Sequence, residues 1–180
     1  MKPFILVAIN MLKTVFWKVK NPNIQIKNPI LVGYNTKLSF AKGSEVQISG
    51  HLVSDGRLVI IVGENGNLNI QDNVYFNEGG MISCHEMVSI GRGCKFGPNV
   101  KIFDNNHCYN RYEGVLDSHN TGAVSIGNRC WIGSNAVILK GAKIGDNCVI
   151  GAGCIVDTEI PPYSIVTQHR ELEIKAMREL

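Results

Sequence analysis

The chain has 180 residues, of which 44% are hydrophobic, 18% charged and 7% aromatic. That length gives one domain or slightly more, and the apolar content excludes a disordered chain. A net charge of +3 is too small to imply a nucleic-acid partner. The charge is unevenly spread, however. Met1 to Ser44 holds seven lysines and no acidic residue, which leaves eleven basic residues against fifteen acidic ones for the remainder. Such a basic end suits an anionic membrane surface or an acidic substrate, or it is an ordinary solvated face.

The uncharged run from Pro3 to Leu12 is too short to span a bilayer. No A-x-A-like cleavage site follows it, and Lys13, Lys18 and Lys20 stand where one would be, so it is not expected to be a leader. Phe4, Ile5, Ala8, Met11, Leu12, Val15 and Phe16 fall at three-and-four spacing. This predicts an amphipathic helix within residues 1–20, stopped by Asn21-Pro22. Its apolar face has two compatible uses: a cap over an open end of the fold, or a foot on a membrane or a lipid-linked substrate.

From Ile126 onward the chain keeps a strict six-residue period. Ile126, Ile132, Ile138, Ile144, Ile150 and Val156 are aliphatic, and Gly127, Gly133, Gly145 and Gly151 follow four of them. Four places after each aliphatic a small residue recurs, as Cys130, Ala136, Ala142, Cys148 and Cys154, until Ile160 closes the series. Earlier, Val46, Leu52, Leu58, Ile70, Phe76, Ile82 and Val88 keep the phase and Glu64 breaks it. A two-residue slip then resets the frame to Ile90, Phe96 and Ile102. A period of six is neither helical nor simple alternation. It predicts short strands joined by sharp turns, three to an 18-residue coil, with the aliphatic pointing inward and the small residue near a corner. Glycine after the aliphatic is expected to permit a tight backbone path. Between Ile24 and Val156 this gives about six or seven coils stacked by parallel hydrogen bonds. Of six cysteines, none in a C-x-x-C pair, four fall on the small position, which points to reduced, buried thiols in a cytosolic protein.

Residues 103–123 lose the period. They run Phe103-Asp-Asn-Asn-His107 and on to Ala123, with little apolar content and many hydrogen-bonding side chains. A loop of this length leaving a regular solenoid is often functional. Ile160-Pro161-Pro162-Tyr163 ends the repeat, because proline cannot donate to a ladder. Residues 167–180 read as a tail or short helix.

Asp104-Asn-Asn-His107, the loop, the run from Val124 through Trp131-Ile-Gly to Gly153, and Ile160-Pro-Pro together resemble the hexapeptide-repeat acetyltransferases. The likeness covers roughly Val74 to Val166 and is nearest to galactoside and maltose O-acetyltransferases and to O-acetyltransferases of surface polysaccharides. The resemblance implies an all-β, left-handed parallel β-helix over residues 21–166, with acetyl-CoA as cosubstrate and no metal. It implies that His107 is the general base that takes the acceptor hydroxyl's proton, in keeping with imidazole's ordinary pKa of ~6.5. Asp104 or Glu113 could orient its other ring nitrogen. Asn77 and His85 match acceptor-binding positions, although the family often has an acidic residue where His85 stands. Trp131, Gly133, Ser134 and Ala152 match positions along the coenzyme A cleft. Asp157-Thr158 and Thr167-Gln-His-Arg170 depart from the family pattern, so Lys140, Lys143 and Arg170 are the cations available for the nucleotide end. His51 is expected on the surface. Family members are usually trimers, and outward Val137 and Val149 suit a covered face.

The resemblance thus implies O-acetylation of a sugar hydroxyl in polysaccharide biosynthesis, in the cytoplasm or at the inner face of the plasma membrane. An antibiotic or other small-molecule acetyltransferase of the same fold is the alternative. A γ-carbonic-anhydrase-like zinc enzyme needs two histidines five residues apart, which positions 51, 85, 107, 119 and 169 do not supply. A scaffold without catalysis would need no polar excursion.

Overall fold

In the computed structural model, residues 3–27 and 30–168 are described, so Arg170 and the expected C-terminal helix lie outside the described residues. A helix, α1 (Pro3–Lys20), leads into a three-sided, left-handed parallel β-helix. Two faces carry seven strands each and the third carries six. The first face runs from Ile24–Ile26 to Glu159–Ile160, the second from Ile30–Leu31 to Ile165–Val166, and the third from Lys37–Phe40 to Ile155–Val156. We call the third-to-first corner the hairpin corner, the second-to-third the tryptophan corner, and the first-to-second the thiol corner.

The inward residues form one continuous core column. Ile90, Ile126 and Ile144 stack on the first face, Phe96, Ile132 and Ile150 on the second, and Ile102, Ile138 and Val156 on the third, all buried. Phe76 and Phe96 stack face to face on adjacent rungs, with centroids 4.2 Å apart. Each coil covers the apolar side of the one before it, so stability accumulates from neighbour to neighbour.

The 18-residue coil holds only in the later half. Ile26 stacks on Ile48 and Ile48 on Ile70, 22 residues on each time, and Ile70 stacks on Ile90 after 20. Ile48, Ser54 and Ile60 are spaced six apart, as expected, and ten residues then separate Ile60 from Ile70. All the additional length therefore sits at the hairpin corner. The early strands there are longer and turn two side chains inward instead of one, such as Leu58 and Ile60, with Val62 as a third. This is why Val46, Leu52 and Leu58 are buried although the residues that continue the later column are Ile48, Ser54 and Ile60.

Glycine after the aliphatic has a different cause from the one expected. The left-handed residues stand three places after the aliphatic, at Arg129, Asn135 and Asn147, with φ of 55°, 58° and 56°. Gly127 instead is required by close approach: a Cβ there would lie 2.6 Å from the Asp146 nitrogen and 2.6 Å from the Gly145 carbonyl carbon in the next coil. The small position is confirmed as a corner site. At the thiol corner Cys94, Cys130 and Cys148 are buried, and their thiols donate to the carbonyls of Gly127 (3.0 Å), Gly145 (3.1 Å) and Pro161 (3.1 Å). All six cysteines are free, and Cys108 alone among them is only half-buried.

The outer surfaces of the faces differ. The first face presents Gln25, Gln47, Asn69, Ser89 and Ser125 in one row. The third is mostly apolar, presenting Val59, Ile61, Met81, Phe103, Val137 and Ile155, with Lys37 and Lys101 in the same rows. Val137 and Val149 therefore lie on two faces, the third and the second, and not on one.

Candidate active site

The excursion is an antiparallel hairpin, not an irregular loop. Its strands are Asn105–Asn110 and Gly114–Thr121, paired so that His107 faces His119, with an irregularity just after His107. At the tip, Asn110 Oδ1 accepts the N–H groups of Tyr112 (2.9 Å) and Glu113 (2.8 Å), and Gly114 takes φ +73° to turn the chain back. A local bulge of this kind turns a side chain out of the regular alternation.

Asp104 anchors the base of the hairpin. It is fully buried, and its carboxylate accepts the backbone N–H groups of His85 (2.8 Å) and Glu86 (2.8 Å) and the Asn105 amide (2.9 Å). The hairpin's far strand is tied to the same residue, because the Gly122 N–H donates to the Asp104 carbonyl at 2.8 Å. Asp104 therefore does not orient His107, and neither does Glu113, which accepts the Asn110 amide at 2.9 Å. Asp104 is committed to the turn at His85 and the base of the hairpin, and Glu113 to its tip. The partner of His107 Nδ1 is the Leu116 carbonyl, at 3.1 Å. A carbonyl can only accept, so it selects the tautomer with hydrogen on Nδ1 and leaves the Nε2 lone pair free.

Three imidazoles lie in a row. His85 stacks on His119 with centroids 4.2 Å apart, and His119 contacts His107 at 4.4 Å. Partial burial lowers the His119 pKa, and the neighbouring His85 and His107 lower it further. Burial, with the Asp104 carboxylate beside it, pushes the Cys84 thiol far up, so it is a packing group. His119 was not singled out from sequence, because its contact with His107 depends on the hairpin register. A groove of about 750 Å³ opens beside this row along the hairpin corner, lined by Ala41, Glu64, Asn65, His85, Asp117 and His119 among others. Lys140 stands at the same corner, its Nζ 3.5 Å from Asn120 Oδ1.

The other sequence-expected residues are elsewhere in the chain's own fold. Asn77 is at the tryptophan corner, where its side chain accepts the Glu78 N–H at 2.8 Å. It lies at the opposite end of the Gly80–Cys84 strand from His85. Trp131 is 58% exposed on the second face, between Lys95 and Val149. Gly133, Ser134 and Ala152 stack at the tryptophan corner: a Cβ on Gly133 would be 2.6 Å from the Ala152 nitrogen, and Ser134 C=O accepts the Gly153 N–H at 2.8 Å. Lys143 is exposed on the first face, and His51 is exposed with Nδ1 3.2 Å from Asp72. One chain thus holds His85, His107 and Lys140 at the hairpin corner and Asn77, Gly133, Ser134 and Ala152 at the tryptophan corner, with the third face between them. Among the described residues no group of three or more His, Cys, Asp or Glu side chains is arranged to hold a metal ion.

Known proteins share this architecture. Residues 123–158 match the family of bacterial transferase hexapeptides, described as six repeats. A putative lipopolysaccharide-biosynthesis O-acetyltransferase of Escherichia coli is 29% identical over 150 residues, covering 78% of this chain and 72% of the relative. The galactoside O-acetyltransferase of Escherichia coli is 40% identical over 99 residues, covering 53% of this chain and 47% of that enzyme. A crystal structure of a maltose O-acetyltransferase from Clostridium difficile is 29% identical, with a TM-score of 0.53, over 70% of this chain and 64% of that one. Over these residues the chain is similar to the hexapeptide-repeat acetyltransferases. It spans about half the length of the galactoside enzyme and most of the lipopolysaccharide relative. Fold likeness extends further: a polysialic acid O-acetyltransferase aligns with a TM-score of 0.55 at 21% identity, over 87% of this chain and 92% of that one. An N-acyltransferase from Bacillus cereus, solved with dTDP and coenzyme A, aligns with a TM-score of 0.63 at 13% identity, over 83% of this chain and 81% of that one.

Proposed function

We propose that this chain is a hexapeptide-repeat acetyltransferase that transfers acetyl from acetyl-CoA to a sugar hydroxyl of a surface polysaccharide or its precursor, on the cytoplasmic side, with His107 as general base. The observation that carries the proposal is the Nδ1 contact with the Leu116 carbonyl, which leaves Nε2 as a proton acceptor on an exposed hairpin. In the proposed step Nε2 takes the acceptor hydroxyl's proton as that oxygen bonds to the thioester carbonyl carbon. The tetrahedral adduct then collapses, the carbon–sulfur bond breaks, and the imidazolium returns the proton to the departing thiolate. The groove beside the row of histidines, with Glu64, Asn65 and Asp117 on its walls, offers the donors and acceptors that a saccharide needs. Transfer to sugars by the galactoside and maltose enzymes, and coenzyme A in the Bacillus cereus N-acyltransferase, support the choice of substrates.

The donor side is proposed at the tryptophan corner, with Trp131 beside the pantetheine arm and Gly133, Ser134 and Ala152 against it. Asn77 and His85 are proposed to bind the acceptor, and Lys140, Lys143 and Arg170 are the candidate partners of the nucleotide phosphates. Because His107 lies at the hairpin corner while Gly133, Ser134 and Ala152 lie at the tryptophan corner with Trp131 beside it, a complete site is proposed between copies, most simply in a trimer. The apolar third face, which separates the two edges, is the surface such packing would cover.

The experiment is a thiol-release assay with acetyl-CoA across sugars and nucleotide sugars, using the parent protein and His107→Ala. The substitution is expected to lower turnover by about 10²–10⁴-fold. Because His107 is exposed, its thermal unfolding should stay unchanged. Near-parental transfer by His107→Ala would refute the base assignment.

A further inference from the structure

α1 carries a second apolar side, turned away from the body it packs on. A helix that merely caps a solenoid turns its apolar stripe inward. Here the inward side carries Asn10 and Thr14, both buried, and the half-buried Trp17. Asn10 donates its amide to the Val32 carbonyl at 3.0 Å, Thr14 donates its hydroxyl to the Asn10 carbonyl at 2.8 Å, and Trp17 packs on Phe40 at 4.9 Å between centroids. Ile5, Ala8, Met11, Leu12, Val15 and Phe16 of the apolar stripe that the sequence spacing identifies face out, and Val19 extends it. Ile5, Met11, Leu12, Val15, Phe16 and Val19 are all at least half exposed, with Leu12 at 71% and Val19 at 81%.

The surroundings of that stripe are basic. Lys18 and Lys20 are exposed in the last turn of α1, and Lys27, Lys37 and Lys42 are exposed on the first coils. No acidic residue occurs before Glu45. Water gains nothing from six large apolar side chains in one stripe, and lysines alone would suit any anion. Together they match one kind of surface, an apolar interior beneath an anionic headgroup layer. No helix among the described residues is long and apolar enough to cross a membrane.

We infer that α1 docks the chain on an anionic lipid surface, with its outward stripe in the headgroup–acyl boundary and the lysines of the first coils against lipid phosphates. The placement has a consequence that rests on the acetyl-transfer reading. The hairpin-corner groove starts at Ala41, whose carbonyl accepts the Asn21 amide (3.4 Å) just after α1, and it ends beneath His119. A saccharide carried on a lipid in the same membrane would enter that groove from the docked end.

The test is co-sedimentation of the full chain with vesicles of phosphatidylcholine alone and of phosphatidylcholine with phosphatidylglycerol. Binding is expected to the anionic vesicles, to weaken with added salt, and to fall by more than about tenfold in Leu12→Glu/Val19→Glu. Leu12→Trp/Val19→Trp should bind at least as well as the parent. Both sites are exposed, so thermal unfolding and thiol release with a water-soluble acceptor should match the parent in both variants. No binding to anionic vesicles, or equal binding by the glutamate variant, overturns the inference. So does loss of self-association in the glutamate variant without vesicle binding in the parent, which would assign the stripe to a second copy. A catalytically inert parent that still binds vesicles would sink the acetyl-transfer proposal and leave lipid docking standing.

Discussion

Replacing Asp104 by alanine tests how the solenoid holds its hairpin. The carboxylate accepts two backbone N–H groups at 2.8 Å and one amide at 2.9 Å, and it is wholly removed from solvent. Hydrogen bonds to a charged group contribute about 1.5–3 kcal/mol each, and a buried donor left without a partner costs about 1–3 kcal/mol. His85 is half-buried and Glu86 exposed, so water can reach part of the vacated turn. That lowers the expected loss from the simple total to about 3 kcal/mol. Asp104→Asn keeps the volume and one acceptor oxygen and should lose about half as much. Urea unfolding at fixed protein concentration measures the change, and amide exchange locates it. The His85 and Glu86 amides should exchange about a hundredfold faster, since each tenfold corresponds to about 1.4 kcal/mol. A loss under about 1 kcal/mol with unchanged exchange at those two amides would refute the reasoning. It would mean that water serves the turn as well as the carboxylate does.

Gly127→Ala forces a methyl against backbone atoms of the next coil at 2.6 Å, which cannot yield as a side chain tip would. A destabilisation of about 1–3 kcal/mol is expected, read as a lowered unfolding midpoint. The lowered pKa of His119 means that the folded chain holds this proton less tightly than the unfolded one. Its contribution to stability is complete above its ordinary pKa of about 6.5 and is lost as the pH falls through that value toward the folded pKa. Urea midpoints should therefore drop between about pH 7.5 and about pH 5.5, and His119→Gln should drop less over that interval. Equal slopes would show that the stacked imidazoles do not disfavour protonation. Ile155→Glu places a charge at the outward, 54% exposed end of the apolar third face. If that face joins copies, light scattering should report a smaller particle, and donor-side residues should then be unable to meet His107 of another copy.

The later half of the fold was legible because from Trp131 to Val156 each strand is two residues long and has one inward position. The period of Ile126 to Val156 is then the geometry itself. The early half misled for a physical reason. Strands of three to five residues bury two or three side chains, so a six-residue phase can be drawn through Val46, Leu52 and Leu58 while the column continues through Ile48 and Ile60. The same ambiguity hid the added residues at the hairpin corner. His107 stood out as a histidine in the one polar excursion, but its orienting partner is a backbone carbonyl, which has no residue signature.

The linear order of residues was enough to determine the coiled strands, the buried thiols, the break at residues 103–123 and a helix with an apolar stripe. It could do so because each is a local pattern of side-chain size and polarity. Three-dimensional packing alone decided which way that stripe faces, that Asp104 secures the turn at His85, and that Gly133, Ser134 and Ala152 sit on a different edge from His107. Those outcomes depend on which residues meet across coils of 16 to 22 residues and a hairpin register, and such meetings leave no mark in adjacent letters.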